Sequence, residues 1–164
     1  MDEASVLVIG VGVSKHGDSS AGKWVIKRLM GKTAPGVRLM EQVSDPAFLL
    51  EAWRGYSAVI LAGAVLSGAK PGTLFRFEAQ KKHLPPVFFS KKTLVPGLFE
   101  GIEQARVEGS LPPRLIVYGI EGKRFKEGDK MAEDVKAATL NVAERILLDL
   151  RHLSVPAVLT ADRG

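Results

Sequence analysis

Cysteine is absent from the 164 residues, and histidine occurs only at His16, His83 and His152. The first absence removes disulfides, thiolate metal ligands and cysteine nucleophiles, and leaves the chain indifferent to the redox state of its compartment. No window reaches the ~20 apolar residues that a membrane span requires. The opening Met1-Asp2-Glu3-Ala4 lacks a basic segment followed by an apolar one, as a secretory leader would need, so the cytoplasm is the expected compartment. Aromatics make up only 7%, and the basic pairs Lys81-Lys82, Lys91-Lys92 and Lys123-Arg124 have none interleaved, which argues against a nucleic-acid partner. A phosphate-loop Gly-Lys-Ser/Thr is missing, and Gly10, Gly12 and Gly17 are wrongly spaced for a dinucleotide fingerprint.

What is present is an ordinary globular composition, 46% hydrophobic and 25% charged, with a formal charge of +5 from 23 basic and 18 acidic residues. A chain of this length buries a core without staples and is expected to form one domain, 1–164. Val6 to Ile9 reads as a short buried strand, followed by a glycine-rich turn through Gly17 and a helix with its apolar stripe on Ala21, Val25, Ile26 and Leu29. Asp18, Ser19 and Ser20 are all good N-cap residues for that helix. Val37 to Met40 is a second strand. Pro46 opens a helix through Trp53, because proline suits a first helical turn.

Ser57 to Ala62 is a continuous apolar run of strand length, bounded by Gly55 and by the segment from Gly63 to Gly72, and such runs imply burial on both faces. Thr73 to Phe77 reads as an antiparallel edge strand after the Pro71-Gly72 turn. Glu78 to Pro96, broken by Pro85-Pro86, is expected to be a loop with a short extended piece at Val87 to Phe89. Leu98 to Val107 reads as a helix and Arg114 to Gly119 as a buried strand, with a charged loop from Gly122 to Lys130. Met131, Val135, Ala138, Val142 and Ile146 repeat at helical spacing, so the longest helix runs from about Asp129 to Leu153, with His152 at its end and an extended or frayed tail after it. Strands alternating with helices imply an α/β domain in three layers, α/β/α, with a mainly parallel central sheet of about five strands.

Three segments in this order, VLVIGVGVSKHGDSSAGKWVIKRL, AVILAGAVLSGAKPGT and LPPRLIVYGIEG, resemble those of the hydrogenase maturation endopeptidases. In that family a first strand leads into a glycine-asparagine turn with an aspartate and a second acid, a middle strand precedes Pro-Gly-Thr, and a later strand ends in Gly-Ile followed by Glu or Gln. The final helix around Val142 to Ile146 also fits, so the resemblance covers about residues 5 to 153. It implies a small enzyme that removes a C-terminal peptide from the large subunit of a nickel-iron hydrogenase after nickel insertion. It also implies side chains that contact the substrate's nickel: the acid after the first-turn aspartate, an aspartate closing the third strand, and a histidine opening a later helix. Carboxylate and imidazole lone pairs suit a divalent metal, and hydroxyl or ammonium groups do not replace them well.

Asp18 matches the first-turn aspartate, but the ligand positions fall on Ser19, on Gly63 and near Lys92 or Thr93, with Ser90 matching a serine that precedes the histidine. The family's asparagine is Val13 here, and its glycine-glycine-threonine segment is Gln42-Val43-Ser44. No Asp, Glu or His lies between Gly55 and Phe77 to restore the second ligand. The expected pocket is therefore lined by Gly12, Ser19, Gly63, Ala64, Lys92 and Thr93, with His16 and Asp18 as the remaining catalytic candidates. No resident cofactor is expected, and nickel enters only through a partner.

The leading expectation is a family homologue that binds a hydrogenase large-subunit precursor, or a related metalloprotein, and has lost peptidase activity. One alternative is an active metal-dependent endopeptidase in which His16 and Asp18 contact the substrate's nickel. A Ser19 and Lys92 dyad would be a different hydrolytic centre, since a nucleophile needs a base within hydrogen-bond reach. The last alternative is a small-molecule or nucleotide-binding α/β module that uses the glycine turn.

Overall fold

The computed structural model describes residues 5–13, 15–85 and 97–163. The first apolar run forms β1 (Val6–Val11), followed by a 3-10 turn (Gly17–Ser20) and α1 (Ala21–Leu29). Next come β2 (Val37–Val43), α2 (Pro46–Ala52), β3 (Ala58–Val65) and β4 (Leu74–Glu78), then α3 (Leu98–Glu108), β5 (Arg114–Glu121) and α4 (Glu133–Arg163). The Asp45 carboxylate caps α2 by accepting from the Ala47 amide at 3.1 Å, just ahead of the proline at the first helical position.

Among the described residues these strands form one sheet in the order β2-β1-β3-β5-β4, parallel throughout except for β4, which pairs antiparallel with β5 at the edge. Alternation along the buried strands divides the core in two. Val6, Val8, Ile60, Ala62, Ile116 and Tyr118 pack under α1 and α4, while Leu7, Ile9, Leu61, Val65, Leu115 and Val117 pack under α2 and α3. The three-layer α/β/α expectation therefore holds. From β1 the chain moves outward to β2 and then returns across β1 to β3, so the connections diverge at the carboxyl ends of β1 and β3. Ligands of open α/β sheets meet the protein at such a crevice.

Several boundaries differ from the sequence expectation: β1 runs to Val11, β2 to Val43 and β5 to Glu121, each beyond its expected end, and two further differences have a clear cause. β3 runs through Gly63 and Ala64 to Val65 instead of ending at Ala62, because these residues pair with Gly119, Ile120 and Glu121 of β5. Cross-strand pairing outweighs the weak strand preference of glycine there. The tail after Leu153 continues α4 to Arg163, past Pro156, and His152 lies inside this helix instead of at its end. Proline removes one helical hydrogen bond and crowds the carbonyl four residues earlier, but Ala157, Leu159 and Ala161 are good helix formers around it. Val87 to Phe89 and most of the loop read before Pro96 lie outside the described residues.

α4 is fastened to the sheet edge by a polar group that runs from buried Tyr118 out to exposed Arg76. The Tyr118 hydroxyl on β5 donates to Asp149 of α4 and accepts from Arg76 Nε of β4 at 3.2 Å, while Arg76 Nη2 reaches the same carboxylate at 3.0 Å. Burial, then the hydrogen bond and charge of Asp149, push the Tyr118 phenol well above its ordinary value. A raised acid pKa means that the folded state holds its proton more tightly. The resulting stability is complete below the unfolded value of about 10 and is lost as pH rises beyond it. Urea unfolding between about pH 9 and pH 11 is expected to show this decline, and Tyr118→Phe to flatten it. An equally steep decline in the variant would exclude Tyr118 as its source.

Candidate functional site

The carboxyl end of β1 turns through Gly12 into the 3-10 turn, and two close approaches fix its path. Gly12 has φ +153°, and a Cβ there would collide with the Ser19 carbonyl oxygen; Gly17, at φ +58°, faces the Arg124 carbonyl in the same way. Glycine is required at both positions because no side chain fits between the two backbones.

The expected capping role of the turn's polar residues is not what the structure shows, since neither the 3-10 turn nor α1 has a side-chain cap. Asp18 is fully buried and its carboxylate reaches across to the loop after β5. Oδ2 accepts from the Lys123 and Arg124 amides at 2.7 and 2.8 Å, and Oδ1 accepts from the Ala132 amide at 2.8 Å. The Asp18 amide donates in turn to the Arg124 carbonyl at 2.6 Å. Ser19 is also buried, and its Oγ accepts from the Val13 amide at 2.8 Å. A side chain that can bind distant amides inside the protein gains more than one that shields a solvated helix end, because the amides it meets have no water to replace it.

A second buried carboxylate stands at the end of β5. Glu121 is 1% exposed and holds the turn after β3: the Ser67 amide donates to both oxygens at 3.1 and 2.9 Å, Ser67 Oγ donates to Oε1 at 2.6 Å, and the Gly68 amide donates to Oε2 at 3.1 Å. The sequence reading gave Glu121 no role of its own. Its signal was a charged residue directly after an apolar strand, at a position where a free carboxylate would be expected in solvent. Asp18 and Glu121 together tie the loops after β1, β3 and β5 into one surface at the strand ends.

The sequence candidates divide accordingly. Gly12, Ser19, Gly63 and Ala64 all lie at or near the carboxyl ends of β1 and β3, with Gly63 and Ala64 buried inside β3. His16 is half-buried in the same turn as Asp18, and its carbonyl accepts from the Ser19 amide at 3.1 Å. Lys92, Thr93 and Ser90 lie outside the described residues. His83 sits elsewhere, with Nδ1 2.7 Å from Glu103 of α3. Among the described residues no group of three or more His, Cys, Asp or Glu is placed to hold a metal ion. The amides of Val13, Asp18 and Ser19, which a phosphate would need at this helix start, already donate to Ser19 Oγ, the Arg124 carbonyl and the His16 carbonyl. A cleft of about 440 Å³ between α2 and α3, lined by Leu50, Trp53, Gly101 and Gln104, lies toward the amino ends of the strands and is not part of this surface.

A doubly covered, mainly parallel sheet whose connections diverge at the ends of β1 and β3 defines an α/β/α protein of the class in which ligands commonly meet the strand ends. The family model of the hydrogenase maturation proteases, HycI, matches residues 24–149, and the chain belongs to that family. No curated protein sequence matches. Among solved structures, an endopeptidase from E. coli matches with a TM-score of 0.78 and 22% identity, covering 94% of each chain. The hydrogenase maturating endopeptidase HybD from E. coli matches with a TM-score of 0.73 and 20% identity, also over 94% of each chain. The [NiFe] hydrogenase maturation protease HycI from Thermococcus kodakarensis matches with a TM-score of 0.69 and 18% identity, over 91% of this chain and 94% of the other. At these identities the three structures speak for the fold.

Proposed function

We propose that this chain, as a single domain in the cytoplasm, acts in the maturation of a nickel-iron hydrogenase large subunit or a related metalloprotein by binding the precursor, without cleaving it. The observation that carries this reading is the commitment of Asp18. The one acid retained in the first turn is buried and directs both oxygens at loop amides, and Ser19 beside it is held by the Val13 amide. Gly63 supplies no side chain for the second ligand position. Nickel, as the cargo of the precursor, would then be met by hydroxyl and backbone groups that hold a divalent ion poorly. Family membership supports the kind of partner, and the surface at the strand ends supplies the place for it.

Incubating the purified chain with a nickel-loaded large-subunit precursor is expected to leave the C-terminal peptide attached, by intact mass spectrometry, while the two proteins co-elute on a sizing column. Release of the peptide would overturn the reading. Should release occur, loss of cleavage in a His16→Ala variant would assign the remaining chemistry to that turn.

A further inference from the structure

We infer that the strand-end surface is a cationic rim that docks an acidic peptide segment. This inference rests on the proposed binding role and names the chemistry that the partner presents. Lys15 lies on the first turn, and Lys123, Arg124, Lys126 and Lys130 lie on the loop after β5; all five are exposed. The two segments are in direct contact, because the Asp18 amide donates to the Arg124 carbonyl at 2.6 Å and the Gly128 amide donates to the Lys15 carbonyl at 2.8 Å. Among the described residues none of these five cations is in an ion pair, whereas Lys27, Arg76, Lys81, Arg106 and Arg114 all have carboxylate partners elsewhere.

The acids nearby offset the rim only in part. Asp18 and Glu121 are buried and face inward, while Glu127 and the half-buried Asp129 of the loop and the exposed Glu133 and Asp134 at the start of α4 leave the five cations in excess. The frame that presents the cations is also fixed in advance. Asp18 holds the loop by the Lys123, Arg124 and Ala132 amides, and Lys15 is the one described non-glycine residue with a positive φ, at 63°. A rim held in place loses less conformational entropy when a ligand arrives. Peptide is favoured over nucleic acid because the loop's aromatic, Phe125, packs against the core beneath α1 and α4 and offers no stacking platform.

The test uses the full chain with a fluorescein-labelled Glu-Gly repeat peptide and its Gln-Gly counterpart, read by fluorescence anisotropy. The acidic peptide is expected to bind at least about tenfold tighter, with the preference shrinking as salt is added. Lys123→Glu with Arg124→Glu is expected to lower that affinity about tenfold, since both residues serve Asp18 only through backbone amides and their side chains are free to change. Lys126→Glu with Lys130→Glu does the same should the first pair fail to fold, and Lys32→Glu with Arg151→Glu, both exposed and away from the rim, should change affinity by less than about twofold. Equal binding of the two peptides, indifference to both rim reversals, or tighter binding of an oligouridylate would overturn the inference. Capture of the hydrogenase precursor separates the two proposals. Precursor binding that survives both reversals refutes the rim alone, and acidic-peptide binding without precursor binding refutes the proposed function alone.

Discussion

Asp18→Ala is expected to lower the unfolding free energy by about 4 kcal/mol, because it leaves buried donors without an acceptor and removes a charge-assisted group in one step. The amides concerned belong to Lys123, Arg124 and Ala132. Asp18→Asn should recover only about half of the loss. An asparagine oxygen in the Oδ2 position can still serve Lys123 and Arg124, but its NH2 then points at the Ala132 N–H, donor against donor. Its expected deficit is about 2 kcal/mol, the range for an unsatisfied buried donor. Denaturant melts give the totals. Hydrogen exchange gives the location, because the amides of Lys123, Arg124 and Ala132 should exchange much faster in both variants while those of β1 and β3 keep their protection up to the global limit. Unchanged exchange at the three loop amides would show that the carboxylate does not hold them.

Glu121 makes the contrasting case. Glu121→Ala strands the Ser67 and Gly68 amides and is expected to cost about 3 kcal/mol. Glu121→Gln should cost at most about 1 kcal/mol, because one partner here is a hydroxyl. The glutamine oxygen can take the Oε2 position and accept from both amides, with the Ser67 amide giving up its longer contact to Oε1, while the NH2 takes the Oε1 position and donates to Ser67 Oγ, whose proton rotates away. Glu121→Gln within about 1 kcal/mol of the parent, with Asp18→Asn about 2 kcal/mol below it, is the pattern to seek in the same melts. The reverse pattern would mean that the hydrogen-bond geometry does not control stability at these sites.

The three layers and the mainly parallel sheet were readable because they follow from apolar periodicity, which is local; the order of the strands was not, because pairing joins distant segments. SAVILA announces a strand buried on both faces, and the repeat from Met131 to Ile146 announces the longest helix. The end of β3 was not readable, because Gly63 and Ala64 are strand only by virtue of pairing with Gly119 and Ile120 more than fifty residues away. The capping role read for Asp18 was wrong for the same reason. Asp18 beside two serines has every mark of a helix cap, and nothing within ten residues reveals that its partners lie beyond position 120. The likeness to the maturation proteases pointed to this turn and to Ser19 and Gly63 as the places where metal ligands would be expected. It did not reveal what the retained aspartate does.

Both buried carboxylates grip peptide groups, which every residue except proline offers equally. Residues 123 and 124 can therefore become acidic, neutral or larger while the loop keeps its course, so the rim's chemistry and the rim's shape are separately adjustable. A library randomised at 123, 124, 126 and 130 should consist mostly of folded proteins that differ in what they attract, with proline at 123 and 124 as the principal casualty.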